Sequence, residues 1–144
     1  MADGPILRAL FRVHLWLSAR LMPALIGRRD FETVLKWAPL DAPTPYRGLP
    51  SAYVVTRVNH TVRHPWLMRE RRCLREGLLG FRFLRMAGFD PELRFGVDSK
   101  SMHAPRLSAH CWVCLDGKPV VSDSLPGMVE IYRHHSDTAG ARAA

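Results

Sequence analysis

The pattern of apolar and polar positions predicts helices first and strands last. Pro5–Ile26 is a long apolar run that reads as a helix, with Gly27 as its stop. Asp30 can cap a second short helix, Phe31–Trp37. Pro39–Pro50 holds four prolines and a glycine, which marks a turn-rich connector. Ser51–His64 has Val55, Val58 and Val62 at helical spacing, although its valines also suit a strand; Pro65 ends it. Cys73–Ala87 is the clearest helix after the first. Leu74, Leu78 and Phe81 form one stripe, and Cys73, Gly77, Gly80 and Leu84 a neighbouring one. Each interior glycine costs about 1 kcal/mol relative to Ala. Two on the Cys73 stripe predict that another backbone approaches that face closely. Gly88 supplies the stop. Glu92–Val97 reads as a short strand and Asp98–Ser108 as a polar loop. After the hairpin described next, Ser124–Ala144 carries one apolar patch (Met128, Val129, Ile131, Tyr132) and then small polar residues that fray.

Ala109–Asp123, AHCWVCLDGKPVVSD, reads as a β-hairpin. Asp116-Gly117 suits a type I′ turn, whose two central residues both need φ > 0. A two-residue loop pairs Leu115 with Lys118, and every later pair then sums to 233. His110 falls opposite Asp123, on a non-hydrogen-bonded site, where Cα atoms lie about 4.5 Å apart. An imidazole beside a carboxylate is a base with an orienting acid. It lacks only a nucleophile. Cys73, 37 residues upstream of His110, is the best candidate.

At 144 residues, 47% of them hydrophobic, the chain is one domain with a sizeable core. Residues 1–50 form the helical part and connector, 51–135 the main core, and 136–144 a frayed tail. The net charge of +8 points to an anionic partner. No nucleic-acid-binding signature accompanies it, so no nucleic acid is expected. Three cysteines in a chain this long make no disulfide framework, which implies reduced thiols and a cytoplasmic setting. Arg8, Arg12, His14 and Arg20 make the first helix costly as a membrane span. It is expected on the domain's own core, with any membrane contact peripheral.

Cys73 stands at a predicted helix start, where unpaired N–H groups and the helix dipole favour a thiolate. Arg71, Arg72 and Arg75 add positive charge nearby. Those N–H groups also suit an oxyanion. No Ser, Thr, Asp or Asn precedes Cys73 as a cap. A buried, inert thiol is the plain alternative. Cys111 and Cys114 spell C-x-x-C, but residues i and i+3 of a strand point to opposite faces, so no metal site is expected. His134-His135 reads as a solvated pair, His103 as a loop residue, and Trp112 as core on the His110 face.

The run RRCLREGLLGFRFLRMAGFDPELRFGV, a loop, and AHCWVCLDGKPVVSD together resemble the lasso-peptide leader peptidases. These are transglutaminase-like cysteine proteases of bacterial peptide-maturation clusters. The similarity covers about residues 53–132. It implies an α+β fold in which N-terminal helices precede a Cys-bearing helix packed on a small antiparallel sheet. It implies a catalytic triad of Cys73, His110 and Asp123, with no cofactor and no metal. It also implies a precursor (leader) peptide as substrate, a separate leader-recognition protein and an ATP-dependent, asparagine-synthetase-like cyclase. The family usually has Ala after the His and an acidic residue where Cys114 stands. Arg75-Glu76 also replace smaller residues common there. These departures leave the triad intact and bear on substrate preference. An amidase or acyl transferase, or a non-catalytic precursor-binding module, are the alternatives.

Overall fold

In a computed structural model the structure describes residues 4–26, 29–63 and 72–136. Its centre is helix α4, Arg72–Met86. This helix buries Leu78, Leu79, Phe81, Phe83, Leu84 and Met86, which point in nearly every direction around its axis. It must therefore be covered on both sides. Two helices cover one side: α1, Pro5–Ile26, and α3, Ser51–Val62. A four-stranded sheet covers the other. A short helix α2, Phe31–Leu35, lies between α1 and α3 in the chain. The core is continuous across these layers and joins Phe11 and Leu15 of α1 to Val54 and Val58 of α3 and Phe83 of α4. Phe11 meets Phe83 edge to face, with ring centroids 5.4 Å apart.

Each strand pairs antiparallel, in the order β3-β2-β1-β4: Lys118–Val121, Ala109–Leu115, Glu92–Asp98 and Met128–His134. Leu93, Cys111, Val113 and Val121 join the core on the α4 side. Glycines on α4 let the sheet come close. A Cβ on Gly77 would stand 2.9 Å from the Cys111 sulfur, and one on Gly80 would stand 2.8 Å from a Val121 methyl. The expected close approach is therefore real, but side chains of the sheet make it rather than a backbone.

Helix α4 ends in a Schellman motif. Gly88 takes φ 89°, its N–H reaches the Arg85 carbonyl at 2.9 Å, and the Phe89 N–H reaches Leu84 at 3.0 Å. Strand β4 takes in the apolar patch of the tail and pairs with β1 along its length. The predicted polar loop after β1 holds a 3-10 turn, Ser99–His103, capped by the Asp98 carboxylate on the Lys100 N–H at 3.0 Å. Helix α1 buries Phe11, Leu15, Ala19, Met22 and Ile26 and leaves Ile6, Leu10, Val13, Leu17 and Leu21 exposed. By length and composition it is also apolar enough to cross a membrane.

Two readings need correction. The hairpin turn forms as expected, with φ of 51° at Asp116 and 78° at Gly117, but its register does not persist. Leu115↔Lys118 and Cys114↔Pro119 pair as predicted; then Val113 pairs with Val121. One extra residue, Val120, makes a bulge, and the ladder stops at Val121. The inner position next to Gly80 thus goes to Val121, which is fully buried, and not to Val120. His134 is not a solvated residue either: its Nε2 donates to the Ala38 carbonyl at 2.7 Å. The stretch from 64 to 71, with Pro65, Arg69 and Arg71, and the tail beyond 136 lie outside the described residues.

Candidate active site

Cys73 is the second residue of α4, half-buried, and faces the first residues of β2. Cys111 and Val113 alternate inward along β2, which brings the Cys111 sulfur to the Cys73 carbonyl at 3.0 Å. His110 is the neighbouring residue, and its imidazole lies beside the Cys73 sulfur. The two contacts hold Cys73 far below an ordinary thiol, at about 5. The largest cause is the Cys111 thiol beside it. The neighbouring His110 adds to it, and burial opposes it. Arg72 and Arg75 are not among the causes. Arg72 is engaged with Glu76 at 2.9 Å. Arg75 turns toward α1 and α3, where it is 4% exposed.

The other side of the imidazole meets Asp123. His110 Nε2 lies 2.9 Å from the Asp123 main-chain oxygen. A carbonyl can only accept, so Nε2 carries a hydrogen and Nδ1 is the ring nitrogen left for the sulfur. This contact replaces the expected cross-strand carboxylate pair. Val121 ends the ladder, Ser122 turns the chain with φ 53°, and Asp123 presents its backbone to the ring while its side chain is exposed. The Ser122 hydroxyl donates to Glu76 at 2.6 Å, tying this bend to the first turns of α4. Neither Ser122 nor Glu76 carries a motif that marks it in the sequence. The partnership depends on the bulge.

Trp112 shares the His110 face, as strand alternation predicts, and its ring stacks beside the imidazole at 6.1 Å. Cys114 is buried on that same outer face, among Arg94, Glu92 and Glu130, and so lies across the sheet from Cys111. Burial pushes its thiol up. Among the described residues no group of His, Cys, Asp and Glu is arranged to hold a metal ion. His103 is exposed on its turn. A groove of about 720 Å3 lies away from these residues, between α1 and α3. Arg12, Arg20, Arg57, His60 and Arg75 line it beside Val13 and Trp16.

A cysteine at the head of a central helix, an imidazole against its sulfur and a sheet that carries the imidazole are the elements of acyl transfer through a thioester. The profile of the transglutaminase-like superfamily matches residues 11–136 of this chain. The chain belongs to the transglutaminase-like superfamily. No curated protein and no solved structure matches it. The transglutaminase-like domain runs from within α1 to just past β4, so the N-terminal helix and the last strand are both parts of it. Its α+β layers accord with such a core, and the superfamily's chemistry is of the cysteine protease and acyltransferase type.

Proposed function

We propose that this chain is a cytoplasmic cysteine peptidase that removes the leader from a ribosomally made precursor peptide in lasso-peptide maturation. The observation that carries this reading is the placement of Cys73, half-buried at a helix start and beside the His110 imidazole. The thiolate attacks the carbonyl carbon of the bond joining leader to core. The first N–H groups of α4 have no partners within the helix, and the developing oxyanion is stabilised there. His110 delivers a proton to the leaving amine and then takes one from the water that opens the thioester. Asp123 acts as the third member and fixes the tautomer through its main-chain oxygen. The sequence resemblance to leader peptidases supplies the substrate class.

The partners in this reading are a separate leader-recognition protein and an ATP-dependent cyclase. An excess of eight positive charges and the arginine-lined groove favour an acidic leader or an acidic partner. The test is to incubate the purified chain with labelled precursor and the leader-recognition protein, with and without an added amine. The expected product is free leader, lost with Cys73→Ala and His110→Ala. An amine adduct in place of hydrolysis would make the protein an acyl transferase. Unchanged maturation with Cys73→Ala would make it a binding module.

A further inference from the structure

Two thiols meet at the start of α4, and thioester chemistry uses only one of them as nucleophile. Cys111 Sγ donates to the Cys73 carbonyl at 3.0 Å. The same sulfur presses on Gly77, where a Cβ would come within 2.9 Å of it. Cys73 and Gly77 are one turn apart on one helix face. The Cys111 sulfur therefore sits in a notch directly behind the nucleophile. Cys73 is open to small solutes, whereas Cys111 is 1% exposed. The helix-start cysteine is thus the sulfur an oxidant meets first.

We propose that Cys73 and Cys111 form a peroxide-oxidisable pair, in which a sulfenic acid made on Cys73 is resolved by Cys111 into a reversible disulfide. In the first step the Cys73 thiolate attacks one oxygen of hydrogen peroxide. The O–O bond breaks, the sulfur keeps OH, and hydroxide leaves. In the second step the Cys111 sulfur attacks the sulfenic sulfur. The S–O bond breaks, the S–S bond forms, and the leaving hydroxide takes the Cys111 proton as water. The two sulfurs lose two electrons in all, and the peroxide gains them.

The order of events follows from the surroundings of Cys111. The Cys73 sulfur beside it, burial and the charge of that thiolate push the Cys111 thiol up. Oxidation of Cys73 removes the neighbouring charge, so Cys111 becomes a better nucleophile only once it is needed. Bridging asks for Cα atoms about 4.4–6.8 Å apart, a span suited to two residues already in contact. Cys114 cannot take this part, because it lies across the sheet. The disulfide would remove the nucleophile without overoxidation, and any thiol reductant would restore it.

The proposal stands on the contact between the two sulfur-bearing residues and does not need the peptidase reading. The test treats the full chain with hydrogen peroxide, blocks free thiols, and maps the digest by mass spectrometry. The expected product is one Cys73–Cys111 link with a mass loss of two hydrogens, reversed by dithiothreitol and retained in Cys114→Ser. In Cys111→Ser, Cys73 should instead gain oxygen and proceed to the sulfinic acid. Wild-type protein that accumulates sulfinic Cys73 while Cys111 stays alkylatable would overturn the proposal, as would a Cys111–Cys114 link. A chain that cleaves no precursor yet forms the bond refutes only the peptidase; one that cleaves yet never forms it refutes only the switch.

Discussion

Replacing Cys111 with alanine asks what makes Cys73 a thiolate. Cys73 titrates at about 5 in place of the ordinary 9.0, and the Cys111 thiol is the largest cause. The variant removes that thiol and leaves the helix start and His110 in place. A hydrogen bond to a charged group is worth about 1.5–3 kcal/mol. One pKa unit corresponds to about 1.4 kcal/mol. Cys111→Ala should therefore raise the Cys73 pKa by about one to two units. The assay is the rate of iodoacetamide alkylation at Cys73 against pH, read by mass spectrometry, with a thermal melt to show that the variant is folded. Alkylation follows the thiolate, so it falls as pH drops through the pKa. The wild-type midpoint should lie near 5 and the variant's above it, with similar rates once both are ionised. The acidic limb of precursor cleavage should move with it. A variant midpoint equal to the wild type's would refute the role given to Cys111. A wild-type midpoint in the ordinary range of free thiols would refute the thiolate itself.

The remaining predictions concern the imidazole, the packing and the charge. Asp123→Ala should leave cleavage within a few-fold of wild type, because the contact to His110 comes from the main chain. His110→Ala should abolish it, and a loss of equal size at Asp123 would show that the carboxylate acts after all. Gly80→Ala should destabilise the fold: its Cβ meets three atoms of the fully buried Val121 within 3.1 Å. Overpacking costs about 1–3 kcal/mol and the helix gains about 1 from alanine, so urea midpoints should report a loss of up to about 2 kcal/mol. Adding Val121→Ala to that variant should cost less than it does alone, and additive losses would count against direct contact. Cleavage measured as kcat/KM should fall as sodium chloride rises, if the net charge of +8 serves docking to an acidic leader or partner; salt independence would remove that role.

What could be read from the residues was local, and what could not was set by packing. The Asp116-Gly117 turn was legible because its φ angles are a property of those two residues. Cys73 at a helix head and Cys111 opposed to Cys114 followed from helical and strand periodicity. The register was a different matter. From the turn alone the hairpin pairs evenly to residue 123. The bulge at Val120 exists because Gly80 leaves room for a branched side chain at the next position, a fact located 40 residues away. That slip carries the rest of the site with it. It ends the strand at Val121, lets Ser122 turn and bond Glu76, and swings the carbonyl of residue 123 onto the imidazole. A search for side chains that carry chemistry finds an aspartate at this position and credits its carboxylate. The group in contact is one that every amino acid has, so its role depends on the path of the chain and not on the identity of the residue. Changes at Val120, Val121 or Gly80 should therefore disturb the orientation of His110 more than removal of the Asp123 side chain does.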